Sequence, residues 1–439
     1  MRNESDAAPF GHTLIIGAGP AGIHAVVNWS GASTCIGLLN RKGEHAQKVK
    51  KMLEEASYRV KCDVFVSGKE GLSGSATIDH YYEGYQELED SWDTVLICTP
   101  CDSYASVLAE LQVEKLRKVK QLILISPGIG SNAWVQSLLG EECKRIEVVS
   151  FSTYYAASKF INLQAPLTSV VKGLKRKIRI ASNRSDQTIC PPIQKLMETM
   201  GIACEIVESP IEAESYSITT YVHPPLFMNE FALNEIFSQT TSRKYMYKLY
   251  PEGPITPGVI KSMVLLWKEV SQVLQQLGVP PINLLEFLND DNYPVLEQSI
   301  SREEIESFPA MDPVRQEYLL YVRYSSLLID PYSSPDEQGK YFEFSAVPFK
   351  QVVRNHNDYW QLPRVPHEDY CKLNVLYEMG RQLNVPMPQS RCLIEQYRNK
   401  VFSFMEQYGT EQLHPGWEHE HIVEQAFAIL QAMKINVRS

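Results

Sequence analysis

The chain has 439 residues, 44% of them hydrophobic and 21% charged, and its 42 basic and 52 acidic side chains give a net charge of -10. That composition is ordinary for a globular protein of two domains, and the acidic balance excludes nucleic acid or an anionic membrane surface as the principal partner. No run approaches the roughly 18 apolar residues needed to span a bilayer, and the polar start from Met1 to Asp6 has no apolar core of an export signal, so a cytoplasmic protein is expected.

The first half alternates short apolar runs with amphipathic stretches, the pattern of a parallel sheet with crossover helices. Strands are predicted at 13–17, 34–39, 94–98, 121–125 and 146–150, with a further strand, helix and strand across 178–207. The first strand runs into Gly17-Ala18-Gly19-Pro20-Ala21-Gly22. In such a turn the first glycine permits the bend, the second lets the backbone approach a pyrophosphate, and the third packs helix on strand. A dinucleotide is the implied ligand, held by Gly17, Gly19, Pro20, Ala21 and Gly22. About 20 residues further on, NAD sites carry an acid for the ribose hydroxyl. Here the second strand ends in Asn40-Arg41-Lys42, with Lys48 a turn later as a third positive charge. A 2′-phosphate is favoured, hence NADP(H). FAD ranks below it, because flavoproteins with this glycine pattern usually end the second strand in an acid.

The polar segment 58–92 is expected to hold one short strand and an irregular connection. Loops at strand C-termini line the ligand crevice of such sheets, which nominates Thr99 and Pro100, Ser126 and Pro127, and Tyr154. Nine scattered cysteines read as free thiols; Cys98-Thr99-Pro100-Cys101 lies where a strand meets the cofactor, and no second pair completes a zinc tetrad. From about residue 213 long helical stretches take over, at 257–278, 312–329, 368–381, 389–407 and 417–435, with an irregular segment at 330–367. Thr256-Pro257 and Asp312-Pro313 open the first two. The expected architecture is a Rossmann-type α/β nucleotide-binding domain over 10–212 followed by a mainly α-helical catalytic domain over 213–439, with the site in a cleft between them. The C-terminal His414, His419 and His421 lack a metal-ligand spacing and read as a solvated surface.

With hydride supplied by the cofactor, the helical half must supply the proton donor. Tyr221-Val222-His223-Pro224-Pro225-Leu226-Phe227-Met228-Asn229 stands out, because an imidazole suits proton donation near neutrality and two prolines fix its backbone approach. Taken alone the string leaves a structural histidine open. Asp330 is a candidate to orient the imidazole, or equally a helix-end turn before Pro331.

These strings, with Pro251-Glu252-Gly253-Pro254-Ile255-Thr256, Glu317-Tyr318-Leu319-Leu320-Tyr321-Val322-Arg323-Tyr324 and Phe344-Ser345-Ala346-Val347-Pro348-Phe349-Lys350-Gln351, resemble those of the opine metallophore dehydrogenases, the makers of staphylopine, pseudopaline and similar chelators. The likeness runs from the glycine turn to about residue 370. It implies NADPH-dependent reductive condensation of an aminobutyrate-extended amino acid, commonly histidine-derived, with a 2-oxo acid. On the same likeness His223 is the acid/base with Asp330 as its partner, Arg41 meets the adenosine phosphate, Asn229 and Arg323 join the substrate residues, the enzyme needs no metal, and a homodimer is expected. Pyruvate-using members carry an acid in the loop where this chain has Ala157. Alanine leaves room for a second substrate carboxylate and Lys159 attracts it, which favours 2-oxoglutarate. Two competing readings are a ketone reductase of the ketopantoate reductase type and a non-catalytic NADP(H) sensor.

Overall fold

The structure, a computed structural model, describes residues 8–66, 68–162, 164–240, 244–327, 339, 345–355, 358–409, 413 and 421–435. The chain forms two compact units, residues 1–216 and 217–439.

In the first unit, strands β1 (His12–Ile16), β2 (Cys35–Asn40), β3 (Arg59–Val64), β4 (Gly74–Thr77), β5 (His80–Glu83), β6 (Thr94–Ile97), β7 (Gln121–Leu124), β8 (Glu147–Phe151), β9 (Ala156–Lys159), β10 (Thr168–Leu174), β11 (Lys177–Ser182) and β12 (Ala203–Ile206) alternate with helices α1 (Pro20–Trp29), α2 (Glu44–Glu55), α3 (Tyr104–Leu111), α4 (Ser131–Leu139), α5 (Cys190–Thr199) and α6 (Pro210–Ser215). The main sheet has the order β12-β11-β8-β7-β6-β1-β2-β5. From β5 through β8 every pairing is parallel; β11 runs antiparallel to β8 and parallel to β12. This is the Rossmann order, extended by two strands. Strands β6, β7 and β8 are near-continuous aliphatic runs because the crossover helices bury both of their faces.

A second sheet, β4-β3-β10-β9, lies against α1 and shares a core with it, in which Val60, Cys62, Val64 and Val171 meet Ile23 and Val26. Segment 58–92 therefore contributes three strands to two sheets, where one was expected. The reason is legible afterwards: β3 alternates exposed Arg59 and Lys61 with buried Val60 and Cys62, a one-sided strand, whereas β4 and β5 are four-residue strands without an aliphatic run. The first unit closes at Tyr216, four residues past the expected boundary, because α6 packs on β8 and β11.

The second unit comprises α7 (Ile218–Phe227), α8 (Glu230–Ile236), α9 (Pro257–Gln276), α10 (Leu284–Glu286) continuing into a wider π-helical turn at Phe287–Asn292, α11 (Arg302–Ser307), α12 (Pro313–Ser326), α13 (Arg364–Gln382), α14 (Pro388–Tyr408) and α15 (Ile422–Ala432), with a small hairpin of β13 (Val353–Arg354) and β14 (Trp360–Gln361). Thr256 caps α9 by accepting from the Val259 N–H at 3.2 Å, and Asp312 caps α12 by accepting from Val314 and Arg315 at 3.0 and 3.1 Å. The α14 N-terminus is capped from another helix: buried Glu269 on α9 accepts from the Gln389 and Ser390 N–H groups and the Ser390 hydroxyl at 2.6 to 2.8 Å. No helix among the described residues is long and apolar enough to cross a membrane.

Candidate active site

The glycine turn follows β1 and the loop of Thr99 and Pro100 follows β6, so both sit where the strand order of the main sheet reverses, the usual ligand crevice of such sheets. Gly17 adopts φ +107°, and a Cβ there would lie 3.1 Å from Thr99 Cγ2. A Cβ on Gly22 would come within 1.8 Å of the Gly17 carbonyl oxygen, so the third glycine is required for packing. Gly19 differs: a Cβ there meets nothing within 4 Å. Packing places no demand on that glycine, and the opening it leaves lies beside the α1 N-terminus, where Pro20 stands first and the first-turn N–H groups of Ala21 and Gly22 face outward from the helix end. A dinucleotide pyrophosphate fits this cradle. Ser126 and Pro127 close β7, the next strand over.

At the end of β2, Asn40 is buried while Arg41 and Lys42 are exposed. Asn40 pairs in parallel register with Glu83, so the acid missing from β2 stands at the end of its neighbour β5. The Lys48 ammonium donates to Gln164 Oε1. Beyond β8, the Tyr154 hydroxyl meets His24 Nδ1 at 2.7 Å and donates to Ser158 at 3.0 Å. Burial holds His24 down to about 4, so that imidazole is neutral. Tyr154 thus ties the second sheet to α1. Ala157 and Lys159 share the exposed face of β9, Ala157 lying opposite Gly173 on β10. Burial pushes the Cys98 thiol up, which leaves no reactive thiolate there.

In the second unit His223 lies on α7, a helix that the two prolines hid from sequence reading, since neither Pro224 nor Pro225 can donate to the turn before it. The imidazole packs edge-on against Phe227 at 4.9 Å, and its Nδ1 lies 3.1 Å from both carboxylate oxygens of Asp369 on α13. Asp369 is 4% exposed and His223 16% in their side chains. A carboxylate only accepts, so Nδ1 carries the hydrogen and Nε2 is the nitrogen left for chemistry. Beside Asp369, burial alone would raise Glu368, but Lys372 and Arg364 overcome it and hold that carboxyl at about 2. Burial and the Asp369 charge push the Tyr247 hydroxyl up, so it stays protonated.

Among the described residues the carboxylate at His223 is that of Asp369, a residue with no local signal, 146 positions away in sequence. Asp330, expected in that role, lies outside the described residues. Two expected substrate residues are otherwise engaged. Asn229 caps α8 through its oxygen, accepting from Ala232 at 3.0 Å, and donates through its nitrogen to the Pro225 and Leu226 carbonyls at 2.8 and 2.9 Å. It fixes the turn after His223. Arg323 is 2% exposed and donates to the Leu288 and Tyr293 carbonyls at 2.7 and 3.0 Å, bracing the π-helical turn. His414 and His419 lie outside the described residues, and among those described no three His, Cys, Asp or Glu side chains converge as a metal site.

The family model described as staphylopine dehydrogenase matches residues 11–433. Pseudopaline synthase of Pseudomonas aeruginosa (strain UCBPP-PA14) is 42% identical over 410 residues, covering 92% of this chain and 93% of that protein. Staphylopine synthase of Staphylococcus aureus (strain Mu50) is 38% identical, covering 91% and 93%. Among solved structures, yersinopine dehydrogenase with NADP+ bound superimposes with a TM-score of 0.88 at 33% identity, covering 97% of this chain and 99% of that one. With a Rossmann order, a glycine cradle and a His–Asp pair on the helical unit, and with the match running through both units, this chain belongs to the staphylopine dehydrogenase family.

Proposed function

We propose that the chain is an NADPH-dependent opine dehydrogenase that condenses an aminobutyrate-extended amino acid, derived from histidine, with 2-oxoglutarate to give a nicotianamine-like metallophore. The observation that carries this reading is the buried carboxylate behind His223, the arrangement of an acid/base. Support for the cofactor comes from the open face at Gly19, from the Arg41-Lys42 pair, and from the NADP+ in the yersinopine dehydrogenase structure. Gly17, Gly19, Ala21 and Gly22 hold the pyrophosphate, Arg41 and Lys42 the 2′-phosphate, and Thr99, Pro100, Ser126 and Pro127 line the same crevice.

When bound, the reduced nicotinamide supplies the two electrons and the hydrogen that convert a carbon–nitrogen double bond to a secondary amine. His223 performs the proton transfers before that step. Neutral Nε2 takes a proton as the substrate amine adds to the ketone carbon and the protonated ring gives it to the resulting alkoxide; a second passage through the ring carries the remaining nitrogen proton to the hydroxyl, so water leaves and the double bond forms. Asp369 supports the positive ring throughout. Ala157 leaves the β9 face open to a second substrate carboxylate, and Lys159 on the same face favours its charge.

Purified protein with NADPH, the aminobutyrate-extended histidine and either 2-oxoglutarate or pyruvate tests the proposal by the masses of the products. The expected result is one condensed, reduced product, formed faster with 2-oxoglutarate. NADPH oxidation without the amine would support a ketone reductase instead, and a preference for pyruvate would reject the Ala157 argument.

A further inference from the structure

The glycine cradle has a second contact, from outside its own loop. His45 stands in the first turn of α2, three residues after Lys42, and its exposed imidazole reaches the Ala18 carbonyl, with Nε2 to oxygen at 3.2 Å. His45 therefore bridges the turn assigned to the pyrophosphate and the loop assigned to the adenosine ribose. We propose that His45 is a further cofactor-site residue, one that discriminates a ribose 2′-phosphate from a 2′-hydroxyl according to its own charge. This rests on the dinucleotide reading given above.

The chemistry follows from the fixed tautomer. A carbonyl oxygen can only accept, so Nε2 must carry a hydrogen. In the neutral ring Nδ1 is then a bare lone pair, which accepts from a hydroxyl and repels phosphate oxygens. A second proton converts the same atom into a cationic donor that favours phosphate. A protonated His45 adds its charge to those of Arg41 and Lys42, while the Lys48 ammonium donates to Gln164. The groups around it are accounted for. Arg41 and Lys42 precede it, Glu44 and Lys48 share its helix, and β5, which packs against α2, brings Glu83 and Tyr81, whose hydroxyl donates to the Ala46 carbonyl at 2.8 Å. Ala18, Gly19 and Pro20 contribute no titratable group.

Dissociation constants for NADPH and NADH, measured by calorimetry on the wild type and on His45→Gln from about pH 8.5 to about pH 5.5, test it. Glutamine retains an amide donor for Ala18 but takes up no proton. The 2′-phosphate itself gains a proton near pH ~6, and free NADPH carries that change equally in both titrations. The quantity to follow is thus the NADPH-over-NADH preference of the wild type divided by that of the variant. It should rise roughly fivefold toward the acid end, equivalent to ~1 kcal/mol. His45→Lys, charged throughout, should hold the high preference at both ends, and it carries the test if His45→Gln binds neither nucleotide. A quotient that stays flat overturns the role of His45 while leaving the cofactor assignment standing. If no protein prefers NADPH at any pH, the cofactor assignment falls and the role of His45 falls with it.

Discussion

Replacing Asp369 with asparagine removes one charge from a side chain that is 4% exposed and changes no volume to speak of. In the wild type the ring that becomes an imidazolium during proton transfer has its Nδ1 3.1 Å from both oxygens of that carboxylate. Two unit charges about 4 Å apart at an effective dielectric near 20 attract by ~4 kcal/mol. Asparagine keeps an oxygen that accepts the same N–H, and a neutral hydrogen bond returns ~1 kcal/mol. The net loss is ~3 kcal/mol, or roughly a 150-fold fall in kcat. Should the amide present its nitrogen to the ring, the wrong tautomer is selected and the fall approaches ~10,000-fold. Steady-state NADPH oxidation with both substrates saturating reads the effect, with the KM for NADPH and the melting temperature as controls. A kcat within about threefold of wild type would refute the assignment of Asp369 as the group that supports the charged ring.

The two glycines after Gly17 should separate binding from folding. Gly19→Ala puts a methyl group into open space at an ordinary backbone angle, so the melting temperature holds while NADPH affinity falls by about tenfold or more. Gly22→Ala meets the Gly17 carbonyl at 1.8 Å and should instead destabilise the first unit by ~1–3 kcal/mol, as seen by urea denaturation. Glu368, held at about 2 against an ordinary 4.5, contributes stability that is present above pH 4.5 and is lost as the pH falls toward 2. Between pH 4.5 and about 3 the wild type should therefore lose ~2 kcal/mol more than Glu368→Gln in urea titrations; parallel curves would show that the Lys372 and Arg364 contacts do not hold in solution.

The nucleotide half was readable because its signals are local and redundant. β1, the glycine turn, α1 and β2 each carry their own pattern, and aliphatic β6 to β8 leave little choice of partner. What escaped depends on distant pieces of chain or on rules that tertiary packing overrides. Strands β4 and β5 are too short and polar to announce themselves, and the inner neighbour of β3 in its sheet is β10, more than a hundred residues on. Helix α7 carries two prolines in its last turn, a composition that argues against a helix until neighbours bury it. In the helical half His223 stands out locally, whereas Asp369 does not, since nothing near residue 369 distinguishes that aspartate from its neighbour Glu368; Asp330 lies outside the described residues. Asn229 and Arg323 stand in strings whose resemblance assigns them to the substrate; in the structure the Asn229 amide and one terminal Arg323 nitrogen bond to the chain itself.

The first helix after the cradle is clasped by sheets on both flanks, with Ile23 and Val26 immobilised in a shared interior and the Ser169 hydroxyl on β10 fastened to the Pro20 carbonyl at 2.8 Å. A phosphate docking at the N-terminus of this helix would meet a helix already held in place by those contacts, so little of its adhesion would be forfeited to fixing the helix.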